Sequence, residues 1–116
     1  MQNVEVALKN AKAQRNSGII KHWKTNEDCV WVGSYERKTL EYLNKNQIDY
    51  KWQPKVFKMP NGKTYRPDLY LIKEDRWVEI KGFMRETSNL KWTWFHKEYT
   101  NSELWDKNKL KELGIL

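Results

Sequence analysis

The chain has 116 residues, a formal net charge of +7, seven tryptophans, six tyrosines and one cysteine. That length fits one domain and is too short for two independent cores. Cys29 alone excludes an intrachain disulfide, and with only His22 and His96 beside it no structural zinc spacing exists. No stretch nears the roughly 18 apolar residues of a membrane span, and the first ten residues carry Glu5 and no apolar leader core. The cytoplasm is therefore the expected compartment, with no membrane partner.

The basic excess is uneven. Residues 34 to 66 hold eight Lys or Arg against three acids, whereas residues 67 to 116 hold nine of each. A polyanionic partner is expected, although charge alone does not choose between DNA, RNA and an anionic surface.

In chain order, residues 4 to 15 space Val4, Leu8 and Ala11 as a weakly amphipathic helix that Asn16-Ser17-Gly18 ends. An arm on DNA, a dimerisation element and a frayed terminal helix all fit it. Ile19 to Val32 has two small apolar clusters and reads as irregular. Residues 1 to 33 thus form an N-terminal helix and arm before the core, 34 to 116. Ser34 is an expected N-cap for a helix to about Asn46. Glu36 shares a face with Leu40 and Leu43, an odd stripe for an idle carboxylate, although a first-turn acid also complements the helix dipole. Residues 48 to 59 read as a strand, followed by a type I′ turn at Asn61-Gly62. After Gly82, residues 87 to 99 read as a helix with Leu90, Trp94 and Phe95 inward. Lys91, Trp92, His96 and Lys97 interleave base and ring, as nucleic-acid stacking faces do and as solvated faces of core helices also do. His96 has the chemistry of a general base, although a lone histidine on a helix is more often structural. Ser102 to Trp105 is a short strand, and Lys107 to Leu113, closed by Gly114, a short helix.

The stretch around which the rest is arranged is Tyr65 to Gly82, YRPDLYLIKEDRWVEIKG. Leu69 to Ile72 and Trp77 to Ile80 are apolar runs separated by charged residues, as hairpin strands require. With Glu74 and Asp75 at the tip, the expected pairs are 72 with 77, 70 with 79 and 68 with 81. Asp68, Glu79 and Lys81 then share one face, and Leu69, Leu71, Val78 and Ile80 the other. Two carboxylates that close repel unless a cation shares them, and a hard ion such as Mg²⁺ or Mn²⁺ suits their oxygens. Such an ion activates water for attack on a phosphodiester, with a lysine as the point charge beside it. Each half alone has a plain reading: Pro-Asp as a turn-to-strand junction, Glu-x-Lys as a salt-bridged face.

Pro67-Asp68 followed by Glu79-Ile80-Lys81 resembles the PD-(D/E)XK nuclease superfamily, and the resemblance spans residues 34 to 116. It implies an α/β (α+β) restriction-endonuclease-like core: a helix, a three-stranded antiparallel meander, a helix, a strand and a helix. It implies that Asp68 and Glu79 ligate the metal, with the Ile80 carbonyl and Glu36 as further ligands, and that Lys81 is the catalytic lysine. Gln53 stands before Pro54 where many relatives have an acid. The nearest likeness is to small phage homing endonucleases of the very-short-patch-repair type, carried also by Phe95-His96-Lys97-Glu98-Tyr99 to Trp105. The mismatch-repair enzymes' own acid, histidine and zinc set is not visible here. The expected function is thus a Mg²⁺-dependent DNA endonuclease, acting as a homodimer in a host cytoplasm if phage-encoded, with Lys55, Lys63, Arg66, Lys91 and Lys97 on DNA. A separate targeting domain or protein is compatible with it. A Holliday-junction resolvase and a non-catalytic basic DNA-binding module are the alternatives.

Overall fold

The computed structural model describes residues 16–82 and 86–116. It is a mixed α+β structure that divides into two compact units, Met1–Ile48 with Ile115–Leu116 and Asp49–Gly114. The helix expected over residues 4 to 15 lies outside the described residues.

In the first unit, β1 (Ser17–Lys21) and β2 (Asp28–Val32) pair antiparallel, with Ile19 opposite Val30. The expectation of irregular chain over residues 19 to 32 is therefore corrected. Neither apolar cluster alternates over a full strand length by itself, and each completes its half-buried face only by pairing with the other. Gly18 sits opposite Trp31, where a Cβ would come within 2.9 Å of the indole. The connection is held by the buried His22, whose Nδ1 accepts the Lys24 and Thr25 amides at 3.0 and 3.3 Å. Helix α1 (Ser34–Lys45) follows. Its N-cap is Gly33 at φ 91, with no side-chain cap, so Ser34 is the first helical residue and not the expected cap. Asn44 ties α1 to the hairpin by accepting from Trp23 N–H and donating to the Lys21 carbonyl.

The second unit is built on a four-stranded sheet in the order β3 (Tyr50–Trp52), β6 (Leu69–Leu71), β7 (Arg76–Ile80), β8 (Ser102–Trp105). β3, β6 and β7 are antiparallel, and β8 joins parallel to β7 after helix α2 (Glu86–Glu98). The single strand expected over residues 48 to 59 is two pieces. The chain breaks at Gln53, which adopts φ 47 ahead of Pro54, and an excursion of β4 (Phe57–Lys58) and β5 (Thr64–Tyr65) forms its own two-stranded ribbon. Its turn is also not type I′. Met59 N–H bonds to Lys63 O at 2.8 Å and Gly62 N–H to Met59 O at 3.0 Å, leaving Pro60-Asn61-Gly62 as a three-residue loop with Gly62 alone left-handed. Pro60 favours this form, since its ring holds φ near the type I value.

The hairpin β6–β7 pairs Leu69 with Val78, Tyr70 with Trp77 and Leu71 with Arg76. This is offset by two residues from the expected register, because four residues, 72 to 75, make the turn and Asp75 takes φ 49. An even offset leaves every side chain on its expected face. Val78, Ile80, Leu69 and Leu71 are buried on one side. On the other, Phe57, Met59, Tyr65, Trp92 and Phe95 form an aromatic core flanked by Trp77, Tyr99 and Leu104. Phe95 is its hub, with ring centroids 4.9 Å from Phe57 and Tyr65 and 4.7 Å from Tyr99. Helix α2 presents Trp92 and Phe95 inward, while Leu90 is 62% exposed, which corrects the expected inward Leu90. Both stripes fit helical spacing, and packing selects Trp92, Phe95 and Tyr99 at i, i+3 and i+7, whose rings carry more area. Helix α3 (Lys107–Glu112) is capped by Asp106, whose side chain accepts from Lys109 N–H at 2.9 Å.

Candidate functional site

Asp68 stands just before β6, and its chain is fixed from both flanking strands. Its N–H donates to Val78 O at 3.1 Å, and its carbonyl accepts from Gln53 N–H at 2.8 Å. The side chain is buried, with Oδ2 accepting the Ile80 amide at 2.7 Å. Pro67, also buried, lacks an amide hydrogen and wastes no donor there.

Glu79 lies near the end of β7 with 5% exposure, an uncommon degree of burial for a carboxylate. Tyr65 donates its hydroxyl to Glu79 Oε1 at 2.6 Å, and the Lys81 ammonium stands 3.8 Å from Oε2. Burial pushes the Glu79 carboxyl above the ordinary carboxylate range, against the opposing pull of the Tyr65 hydroxyl and the Lys81 charge. Tyr65 is raised too, by its own burial first and then by the Glu79 charge, so it stays a neutral donor. Lys81 keeps a partly exposed side chain, and its backbone N–H bonds to Trp105 O at 3.2 Å.

Tyr65, Glu79 and Lys81 open onto a cleft of about 200 Å³ lined also by Thr64, Arg66, Ser88 and Lys91, whereas Asp68 is not among its lining residues. Three cations around one desolvated carboxylate make the cleft receptive to an anion, provided that the carboxylate is itself neutralised or shared. Of the other expected contact residues, Lys63 is exposed beside the β4–β5 loop and Lys97 is exposed on α2. Lys55 holds its ammonium 4.8 Å from the Phe57 ring centroid, a cation–π contact. Glu36 belongs to the first unit, where its Oε1 accepts Val32 N–H at 3.1 Å. His96 is structural in its contacts: it stacks on Trp92, and Nδ1 lies 2.7 Å from Ser102 Oγ, which donates to Tyr99 O.

Sequence reasoning missed Tyr65 and Ser88. A tyrosine two residues before a strand-opening proline carries no spacing signal, because its role arises only when the β4–β5 ribbon lies beside Glu79. Ser88 looks like any first-turn helix residue.

Among the described residues no three His, Cys, Asp or Glu side chains gather as a metal-ligand set. The donor chemistry nonetheless suits a hard divalent cation. Asp68 and Glu79 both supply carboxylate oxygen, Glu79 is desolvated in a way that a cation would relieve, and Mg²⁺ commonly takes one or two carboxylates and fills its shell with water and phosphate oxygen. No helix among the described residues is long and apolar enough to cross a membrane. Comparison with family models, curated proteins and solved structures finds no match to this chain.

Proposed function

We propose that this protein is a metal-dependent endonuclease that hydrolyses DNA phosphodiester bonds. The observation that carries the reading is the buried Glu79 carboxylate, which faces a cleft bordered by Arg66, Lys81 and Lys91 and lies across the β6–β7 hairpin from Asp68. A salt-bridged surface strand has no reason to bury its acid and keep its lysine half exposed. Asp68 and Glu79 would hold Mg²⁺ or Mn²⁺, with the Ile80 carbonyl as the further ligand that the family resemblance suggests. When bound, the ion supplies an acidified water and neutralises charge on the scissile phosphate. Lys81 holds the attacking water or the phosphate oxygens by its charge, while Arg66 and Lys91 bind the flanking phosphates.

The order of helix, three antiparallel strands, helix, parallel strand and helix supports a restriction-endonuclease-like core. A homodimer cutting both strands, a phage homing role in the host cytoplasm and a separate targeting element belong to the same reading. Incubating plasmid with the protein tests it: nicking that requires Mg²⁺ or Mn²⁺ and stops in EDTA is expected. Binding without metal-dependent cleavage would favour a DNA-binding module, and a preference for four-way junctions over linear duplex would favour a resolvase.

A further inference from the structure

We infer that Tyr65 is a positioning residue for the metal site: its hydroxyl fixes the Glu79 carboxylate in the orientation that receives a divalent cation. The inference rests on the reading of Glu79 as a metal ligand. Glu79 leaves a three-bond side chain at the end of β7 and has several rotamers to choose among. Tyr65 removes that choice by donating to Oε1 over 2.6 Å, while Lys81 stands on the Oε2 side at 3.8 Å.

The donor is itself held firmly. Tyr65 pairs with Phe57 across the β4–β5 ribbon, and its ring centroid lies 4.9 Å from that of Phe95 in the aromatic core. The ribbon, which lies between β3 and β6 in the chain, thereby gains a purpose: it brings a rigid hydrogen-bond donor to a carboxylate on β7. Outer hydrogen bonds to ligating carboxylates commonly set metal affinity by 10- to 100-fold.

Tyr65→Phe keeps the ring and its packing and removes only the hydroxyl. Mn²⁺ titration of the full chain, followed by electron paramagnetic resonance of free Mn²⁺, should show the variant binding about 10-fold more weakly than the parent. Replacing Tyr65 by 4-aminophenylalanine, which restores a donor at the same place, should recover most of the affinity. Unchanged Mn²⁺ affinity in a folded Tyr65→Phe protein would overturn the positioning role, as would weakened binding that the restored donor does not rescue. If the parent itself binds no Mn²⁺, or Asp68→Asn binds as the parent does, the metal site fails and the inference with it.

Discussion

The backbone amide of Ile80 donates to Asp68 Oδ2 over 2.7 Å, across the β6–β7 hairpin and out of solvent. Asp68 is thus a structural acceptor as well as a candidate ligand, and the two duties can be separated. In Asp68→Ala the Ile80 amide loses its acceptor, a loss of about 1–3 kcal/mol for a buried donor. Asp68→Asn keeps an oxygen in place and should lose less than about 1 kcal/mol. Urea denaturation of both variants checks the ordering; equal destabilisation would show that the bond contributes nothing particular.

Glu79 gives a pH dependence of defined sign. Its folded pKa is raised by burial, so the native state binds more protons than the unfolded chain from the ordinary glutamate range upward. Stability from this group is present below that range and is lost as pH rises toward the folded pKa. Glu79→Gln should therefore melt higher than the parent at neutral pH in EDTA, flatten the fall in stability above the usual glutamate pKa, and lose any Mg²⁺-induced rise in Tm. A parent protein whose stability climbs steadily through that window, with no gain on substitution, would refute the burial argument.

Helix α2 offers a test of phase. Trp92→Ala empties a core position and should lose about 3 kcal/mol or more, whereas Leu90→Ala, on the exposed side, should change stability by less than about 0.5 kcal/mol. Comparable losses would mean that both stripes are buried.

The proposed contact of the cleft with phosphate is tested by salt dependence. Each lysine or arginine that touches a phosphate of duplex DNA adds about 0.9 to the slope of log K against log salt. Lys91→Ala and Arg66→Ala should each reduce the slope by about one, measured by fluorescence anisotropy across a salt series. Lys55→Ala should do less if its ammonium stays on the Phe57 ring. Identical slopes for the parent and the cleft variants would remove those residues from the interface.

How much of this was legible in the sequence follows from what each feature depends on. The Asp68, Glu79 and Lys81 face is written in the alternation of apolar residues, which tolerates an even register error. The offset itself depends on Asp75, and the break after β3 on Gln53, adopting left-handed backbone, which no glycine announces. The β1–β2 hairpin was hidden because its strands alternate only as a pair. Asn61-Gly62 by itself favours type I′, and Pro60 at the leading position of the turn selects the three-residue loop instead. The Tyr65–Glu79 bond joins residues fourteen apart through a ribbon whose placement no local pattern states.

Supercoiled plasmid incubated in Mg²⁺ with the parent protein and with Asp68→Asn, each verified as folded by thermal melt, decides whether the acidic pair performs metal-dependent chemistry on a phosphodiester. The parent should nick or linearise the plasmid and fall silent in EDTA, while Asp68→Asn should bind DNA at least as well and cut at least about a hundredfold more slowly. Cleavage near the parent rate by well-folded Asp68→Asn, or undiminished cleavage in EDTA, would contradict it.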